Sequence, residues 1–195
     1  HRGAPYGRFS IGLAGRHNVQ NALGAVIIAA TLGLSADETA AALGRYRGVR
    51  RRFETVGEVD DILVMDDYAH HPTEIEALAQ AARGRFPDRR IVVLFQPHTF
   101  ARTRYLLDGF KRCFRGFDKL YLLETYAARE AIADGMTAKQ LAAEVHDPEP
   151  VYVETFEAAA ERVGDVFFTV GAGDLDCVGP LVLERLRAGA NGRPA

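Results

Sequence analysis

The sequence contains no tryptophan, only two cysteines and two methionines, and little net charge. Cys113 and Cys177 lack metal-ligand spacing and are too few for a disulfide framework, which is typical of a protein from a reducing cytoplasm. The net charge of -2, with both signs interspersed, indicates no basic face for nucleic acid. No apolar run approaches the roughly 20 residues that a membrane-spanning helix needs. We therefore expect a globular cytoplasmic protein that binds neither nucleic acid nor membrane.

Several catalytic signatures are also missing. The sequence has no Gly-x-Ser-x-Gly elbow and no dinucleotide Gly-x-Gly-x-x-Gly fingerprint. It has no Gly-x-x-x-x-Gly-Lys-Ser/Thr loop either, so the chain alone lacks the usual cradle for the phosphates of ATP. It opens with His1-Arg2-Gly3-Ala4-Pro5, without an initiator Met or a signal peptide, and we expect that an upstream portion is missing.

From about residue 51 onward, short apolar runs alternate with segments of helical period. Near-continuous apolar runs are typical of strands buried on both faces of a parallel sheet. They occur at 62–65, 91–95, 120–123, 151–153 and 166–170, and a further strand at 53–59 is predicted to form a hairpin with 62–65. The predicted helices lie at about 72–84, 101–115, 137–145, 155–163 and 175–187. This alternation predicts a doubly wound, Rossmann-like α/β domain with a mostly parallel sheet flanked by helices.

The first 50 residues follow a different pattern. Arg8–Leu13 alternates in polarity and is predicted to be the last strand of a sheet whose other strands are not in this chain. A helix is predicted to end at Gly33, and a second helix begins at a capping box on Ser35 and runs to about Tyr46. These segments predict a strand and a helical hairpin, with a domain boundary near residue 50.

A dense polar stretch, Asp66 to Glu74, follows the apolar run at 62–65. Pro72 suits the first position of a helix, and Glu74 suits the positive end of the helix dipole. The stretch is therefore predicted to be a strand-to-helix crossover loop, and such loops bind ligands at the carboxyl ends of parallel strands. Taken singly, these residues are more often caps or turn residues. Five ionisable or hydrogen-bonding side chains in six positions favour a binding site.

A second polar cluster, Gln96 to Arg104, follows the strand at 91–95 and is predicted to lie at the same edge of the sheet. The guanidinium of Arg102 is suited to a carboxylate or phosphate, and His98 is suited to orient such a ligand or to accept a proton. Arg104, in contrast, is predicted to lie on the solvent-exposed face of a helix and not to contact a ligand.

Two further features leave weaker signals. Gly171 to Asp174 resembles a backbone nest for an anion, but a tight strand-to-helix turn needs small residues in any case, so both interpretations stay open. Asp67, His70 and His71 carry metal-binding atoms, yet adjacent histidines in an extended segment point in opposite directions. No metal site is predicted in this chain.

Five motifs occur in an order and spacing that resembles the Mur ligases: Gly15 to Ala22, Arg51-Arg52-Phe53, Asp66 to Glu74, Phe95 to His98, and Gly171 to Asp174. The resemblance covers nearly the whole chain and is strongest to the branch that joins L-alanine to muramate. It implies that residues 1–50 are the end of the central ATPase domain and residues 51–195 the carboxyl-terminal Rossmann-like domain. The amino-terminal UDP-binding domain, the phosphate loop and the magnesium ligands would then lie outside this chain.

The resemblance implies an ATP-dependent ligase that adds L-alanine to UDP-N-acetylmuramate through an acyl-phosphate intermediate in peptidoglycan synthesis. ATP and Mg2+ are the implied cofactors. In Mur ligases the substrate carboxylate attacks the γ-phosphate and the amino group then displaces phosphate, a reaction that depends on positioning and charge neutralisation. We expect this chain alone to be inactive, because it lacks the phosphate loop.

Site residues follow from the same resemblance. It assigns nucleotide contacts to a group of side chains in both parts of the chain: His17, Asn18, Asn21, Arg52 and Asp67. It assigns contacts with L-alanine to four side chains of the second part: Tyr68, His70, His98 and Arg102. Among these, Arg102 and His70 suit the carboxylate of the amino acid.

Two alternatives stay open. The murein tripeptide-recycling ligase shares the fold and several motifs but joins a preformed peptide. A non-catalytic module that binds a nucleotide or an amino acid is the alternative of a different class, because the phosphate loop is missing. Upstream coding sequence with Gly-Lys-Thr would count against such a module, and a start codon just before His1 would favour it.

Overall fold

The computed structural model describes residues 5–13, 15–131, 135–159 and 165–190, except for the side chains of His17 and Ala190. The chain forms two compact units, His1–Val49 and Arg50–Ala195.

The first unit contains two helices, α1 (Arg16–Thr31) and α2 (Ala36–Arg45), which contact each other. Ser35 begins α2 with a reciprocal capping box, since its hydroxyl accepts from the Glu38 N–H and the Glu38 carboxylate accepts from the Ser35 N–H. The predicted helical hairpin is confirmed. Residues 5–13 pair with no strand of the described chain, and the strand predicted at Arg8–Leu13 stays a prediction, because the strands it was predicted to join are not in this chain.

The second unit is built on one six-stranded sheet in the order β1-β2-β6-β3-β4-β5. β1 and β2 are antiparallel and the other four neighbouring pairs are parallel, which confirms the predicted mostly parallel sheet. The strands span β1 (Glu54–Val59), β2 (Ile62–Asp67), β3 (Ile91–Phe95), β4 (Lys119–Leu123), β5 (Pro150–Val153) and β6 (Val166–Val170). The last strand in the chain therefore lies between β2 and β3.

Helices flank this sheet at α3 (Pro72–Arg85), α4 (Phe100–Tyr105), α5 (Leu107–Cys113), α6 (Ala138–Ala142), α7 (Phe156–Ala159) and α8 (Val178–Ala190). The single helix predicted at 101–115 is divided at Leu106, so that Phe110 and Cys113 reach the core. The helix predicted at 155–163 is described only to Ala159. The helix predicted at 175–187 begins with a 3-10 turn, Leu175–Cys177.

The hairpin between β1 and β2 turns at Asp60 and Asp61, as predicted. Both residues have positive φ, 49° and 62°, which is the conformation of the two-residue turn that matches the twist of paired strands. β2 continues two residues beyond the predicted end at Met65, because Asp66 and Asp67 pair with Thr169 and Val170 of β6. The two carboxylates therefore belong to the strand itself.

The core has two layers, one on each face of the sheet. Neighbouring strand residues face opposite sides, so Phe167 packs in one layer and Phe168 in the other. The first layer contains apolar side chains of α3, α5 and α6, including Ile75, Phe110 and Leu141; the second contains those of α7 and α8. Covering both faces explains the near-continuous apolar strands.

In the described part of the chain, no helix combines the length and the apolar character needed to cross a membrane.

Candidate functional site

The crossover loop between β2 and α3 is held in place by the start of α3. The His71 imidazole accepts from the Thr73 N–H, and Pro72 occupies the first helical position. One carboxylate oxygen of Glu74 accepts from the N–H groups of both His70 and His71. The helix cap thus fixes the backbone of His70 and His71 in the polar stretch that was predicted to be a binding site.

A buried network ties this loop to β6. The Arg51 guanidinium donates to the Asp66 carboxylate at 2.9 Å, to the Gly171 carbonyl at 2.7 Å and to the Gly173 carbonyl at 3.0 Å. The Thr169 hydroxyl donates to the other Asp66 oxygen at 2.6 Å. We call Arg51, Asp66, Thr169, Gly171 and Gly173 the buried clamp. It joins the segment before β1 to the ends of β2 and β6.

The glycines of the clamp are needed for close approach. A Cβ atom on Gly171 would lie 2.9 Å from the Gln96 carbonyl oxygen, and one on Gly173 would lie 2.5 Å from the Gln96 side-chain oxygen. The Gly171 N–H donates to the Asp67 carbonyl, and the carbonyls of both glycines accept from Arg51. The loop therefore binds an internal cation through its carbonyls.

Both aspartates at the end of β2 are buried, Asp66 at 3% and Asp67 at 7% exposure. Burial raises the pKa of Asp66, although the Thr169 hydroxyl and Arg51 oppose that rise. Burial likewise raises the pKa of Asp67, against the backbone N–H groups of Phe53 and Ala69 that donate to its two oxygens. Asp67 thus fixes the backbone directly after Arg52.

A row of rings and guanidinium groups lies along the carboxyl edge of the sheet. The Tyr68 and His70 rings meet edge to face at 5.4 Å, and the His70 and His98 rings at 6.1 Å. The Arg52 guanidinium lies 5.5 Å from the centre of the Tyr68 ring. Arg102 Nη1 donates to the His98 carbonyl at 3.0 Å. We call Arg52, Tyr68, His70, His98 and Arg102 the rim.

The rim combines fixed cations with imidazoles. Burial lowers the pKa of His98, and the nearby Arg102 and His70 lower it further, so His98 is neutral at pH 7. His70 Nδ1 lies 3.0 Å from the Tyr68 carbonyl, which can only accept, so Nδ1 carries the proton of the neutral ring. Arg102 Nε and Nη2 have no hydrogen-bond partner among the residues described. The rim can therefore bind an anionic group and accept a proton.

Two carboxylates support the rim. Burial opposes ionisation of Glu74, but the backbone N–H groups of His70 and His71 and the nearby His70 and Arg52 outweigh it and lower the pKa of Glu74. Glu130, in the segment after β4, accepts from the Ala101 N–H at 2.9 Å and from the Thr99 hydroxyl. These bonds lower the pKa of Glu130. Both groups stay anionic and hold the loops beneath Arg52 and Arg102.

The remaining predicted residues lie on α1 in the first unit. Asn18 and Asn21 are three residues apart, so they share one side of the helix. His17 is also on α1, but its side chain lies outside the described residues.

No group of three or more His, Cys, Asp or Glu side chains within the described ranges is arranged to hold a metal ion. The Asp66 and Asp67 oxygens at the end of β2 are already engaged by Arg51, Thr169 and backbone N–H groups. These residues do not fit a magnesium site.

Three residues that shape the site carried no clear signal in the sequence. Arg51 stands in a run of arginines, and only the structure shows that its side chain is largely buried while that of Arg52 is exposed. Tyr126 stacks on His98 at 5.5 Å, and Glu130 caps the segment after His98. Tyr126 and Glu130 both follow β4, and a search of every strand end for polar side chains would have found them.

The second unit is thus a mostly parallel α/β domain with a rim of aromatic, imidazole and guanidinium groups at the carboxyl edge of its sheet. A model of the family described as Mur ligase, glutamate ligase domain, matches residues 51–173. The chain belongs to this family.

Comparisons with individual proteins extend the likeness beyond the matched domain. The UDP-N-acetylmuramate--L-alanine ligase of Roseiflexus castenholzii is 44% identical over 186 residues, which cover 92% of this chain and 39% of that protein. The solved UDP-N-acetylmuramate-alanine ligase of Thermotoga maritima is 29% identical with a TM-score of 0.80, over 96% of this chain and 41% of that chain. The solved murein peptide ligase of Psychrobacter arcticus is 25% identical with a TM-score of 0.67, over 96% of this chain and 39% of that chain. The chain spans about two fifths of the length of the curated relatives it matches.

Proposed function

We propose that this chain is the carboxyl-terminal part of a cytoplasmic, ATP-dependent ligase that joins L-alanine to UDP-N-acetylmuramate in peptidoglycan synthesis. Residues 1–50 would then complete the central ATPase domain, and residues 51–195 would form the terminal domain. The observation that carries the proposal is the rim, because a guanidinium and a neutral imidazole stand 3.5 Å apart at Arg102 and His98. Relatives named for this activity are 41–45% identical to the chain.

The rim suits the amino acid. Arg102 binds the L-alanine carboxylate through its unengaged N–H groups, and His70 contacts the same carboxylate. Tyr68 packs beside the bound amino acid at the rim. The alanine nitrogen forms a bond to the acyl carbon, the bond from that carbon to the phosphate oxygen breaks, and phosphate leaves with the electron pair. His98 accepts the proton that the nitrogen loses.

The nucleotide contacts come from residues on both sides of the sequence boundary. By the family resemblance, the side chains of His17, Asn18 and Asn21 contact the nucleotide, Arg52 neutralises phosphate charge, and Asp67 accepts from the ribose through lone pairs that its two backbone bonds leave free. Mg2+ belongs to the same proposal, with its ligands outside this chain.

An assay of radiolabelled L-alanine incorporation into UDP-N-acetylmuramate tests the proposal. We expect no product from the 195-residue chain and ATP-dependent product from a protein extended upstream in the reading frame. Replacing L-alanine by a murein tripeptide is expected to abolish turnover. Preferential use of the tripeptide would instead support a recycling ligase, and no turnover of either would favour a binding module.

Arg102→Met sharpens the test in the extended protein. Loss of a charge-assisted bond is expected to raise KM for L-alanine about 10- to 100-fold. Arg104→Met is the matched control, because Arg104 is an exposed residue on the same short helix. Equal effects of the two substitutions would remove Arg102 from the alanine site.

A further inference from the structure

A cleft of about 360 Å³ opens where β3, β4 and β5 end. It lies wholly within the second unit and shares Tyr126 with the rim, since the Tyr126 ring stacks on His98. We call it the acidic cleft. The side chains on which the argument depends are Gln96, Glu124, Thr125, Tyr126, Glu154 and Asp174.

Two buried polar atoms of the cleft have no hydrogen-bond partner among the described residues: Gln96 Oε1 and Thr125 Oγ1. Gln96 is 5% exposed and Thr125 is 6% exposed. A buried polar group without a hydrogen-bond partner destabilises the folded chain. Such groups are rare in folded proteins and mark places where something else completes the bonding.

The surrounding chain holds these two side chains but does not satisfy them. Gly173 packs directly on the Gln96 amide, where a Cβ atom would lie 2.5 Å from Oε1. Glu124 accepts from the Thr125 N–H at 2.6 Å and from the Tyr152 hydroxyl at 3.1 Å. Glu124 therefore fixes the Thr125 backbone at the cleft wall, while the Thr125 hydroxyl keeps its bonding capacity.

The acidic side chains that line the cleft favour a ligand with a positive charge. The carboxylates of Glu124, Glu154, Glu157 and Asp174 line it, and none of its described lining residues is Lys, Arg or His. In the part of the chain that the structure describes, no three His, Cys, Asp or Glu side chains, those of the cleft included, lie close enough together to hold one metal ion. A primary ammonium group has three donors, which match the Gln96 oxygen, the Thr125 oxygen and one carboxylate.

Size and apolar walls indicate the rest of the ligand. Leu123 and Phe156 line the cleft beside the polar groups, and pockets for small molecules usually start at about 300 Å³. An apolar stem would pack against these side chains. A carboxylate next to the ammonium group would be repelled by Glu154 and Asp174, so a free α-amino acid is a poor match.

We infer that the acidic cleft binds a small molecule that carries a primary ammonium group on a short apolar stem. This inference rests on the cleft alone and does not require the proposed ligase activity.

Nuclear magnetic resonance of the 15N-labelled chain tests it with butylammonium chloride as the probe. Saturable shifts are expected for the amide signals of Thr125 and Tyr126 and for the side-chain amide of Gln96. Sodium butyrate and L-alanine, added at equal concentrations, are expected to leave the signals of Thr125 and of the Gln96 side-chain amide unchanged; Tyr126 is left out of this comparison because its ring stacks on His98 of the rim. Potassium chloride is the salt control. Shifts with potassium chloride as large as those with butylammonium would overturn the assignment to an organic ammonium group.

Variants locate the site. Thr125→Val is expected to weaken butylammonium binding about 2- to 10-fold through loss of a hydrogen bond. Glu154→Gln, at an exposed position, is expected to weaken it about 2- to 5-fold and keeps the test valid if the first variant does not fold. Thr55→Val and Glu58→Gln on β1 are matched controls, each with an affinity within about twofold of the wild type. No saturable shift at Thr125, or equal weakening by test and control variants, would refute the inference.

Discussion

Arg51 and Arg52 are neighbours in the chain but belong to two regions with opposite properties. Arg51 is in the buried clamp, where its side chain is 16% exposed and its donors bond to Asp66 and two glycine carbonyls. Arg52 is in the rim, where its side chain is 49% exposed and lies 3.9 Å from Glu74. The clamp uses its charges to hold the sheet edge together. The rim keeps its charges available for a ligand.

The largest expected effect separates these two arginines. Arg51→Met leaves the Asp66 carboxylate buried without its cation, so we expect the free energy of unfolding to fall by about 3–5 kcal/mol. Arg52→Met removes an exposed cation with a long ion pair, and we expect a change within about 0.5 kcal/mol. Urea denaturation followed by circular dichroism measures both. Similar losses for the two variants would remove the distinction between clamp and rim.

A smaller effect distinguishes charged from neutral acceptors within the buried region. Thr169 and Thr103 are both fully buried, and their hydroxyls donate to the Asp66 carboxylate at 2.6 Å and to the Thr99 carbonyl at 2.7 Å. We expect Thr169→Val to lower the free energy of unfolding by about 2 kcal/mol and Thr103→Val by about 1 kcal/mol. The same urea titrations compare them. A greater loss for Thr103→Val would show that the Asp66 carboxylate adds nothing to the clamp.

The subtlest effect is a pH dependence at Asp67, which connects the two regions. Burial raises its pKa in the folded state, so between the unfolded and folded pKa values the folded chain binds more protons than the unfolded chain. The stability that Asp67 contributes is therefore fully present below its unfolded pKa and is lost as the pH rises through its folded pKa.

Asp67→Asn removes this titration. The stability difference between the wild type and Asp67→Asn is thus expected to shrink as the pH rises above about 4, the ordinary pKa of an Asp side chain. Urea titrations at several pH values measure it, with the exposed Asp88→Asn as a matched baseline. A difference that grows with pH would mean that backbone hydrogen bonds outweigh burial at Asp67.

Local patterns predicted most of the second unit. The apolar runs at 91–95 and 166–170 became strands with those bounds, because residues buried on both faces must be apolar. Pro72 begins α3 as predicted, since its fixed φ suits the first helical turn. The polar loops after β2 and β3 meet at one edge, where His70 and His98 come into contact. Their roles in binding remain proposals.

Other features depend on contacts between distant residues and left no local pattern. The strand predicted at Arg8–Leu13 had a suitable alternation but no partner in the described structure. The 101–115 segment had one helical period, yet packing of Phe110 and Cys113 divides it at Leu106. The extension of β2 through Asp66 and Asp67 required a neighbouring strand, β6, that lies about 100 residues later in the chain.

The sequence by itself determined the alternation of strands and helices, the position of the polar loops and the family resemblance, because side-chain periodicity and short motifs are local properties. Tertiary structure decided which charges are buried and which are available. It placed β6 between β2 and β3, so that Gly171 and Gly173 face Arg51 and leave Arg52 at the rim. It also left Gln96 Oε1 and Thr125 Oγ1 buried without hydrogen-bond partners among the described residues, and hydrogen-bond satisfaction depends on neighbours that only the folded chain brings together.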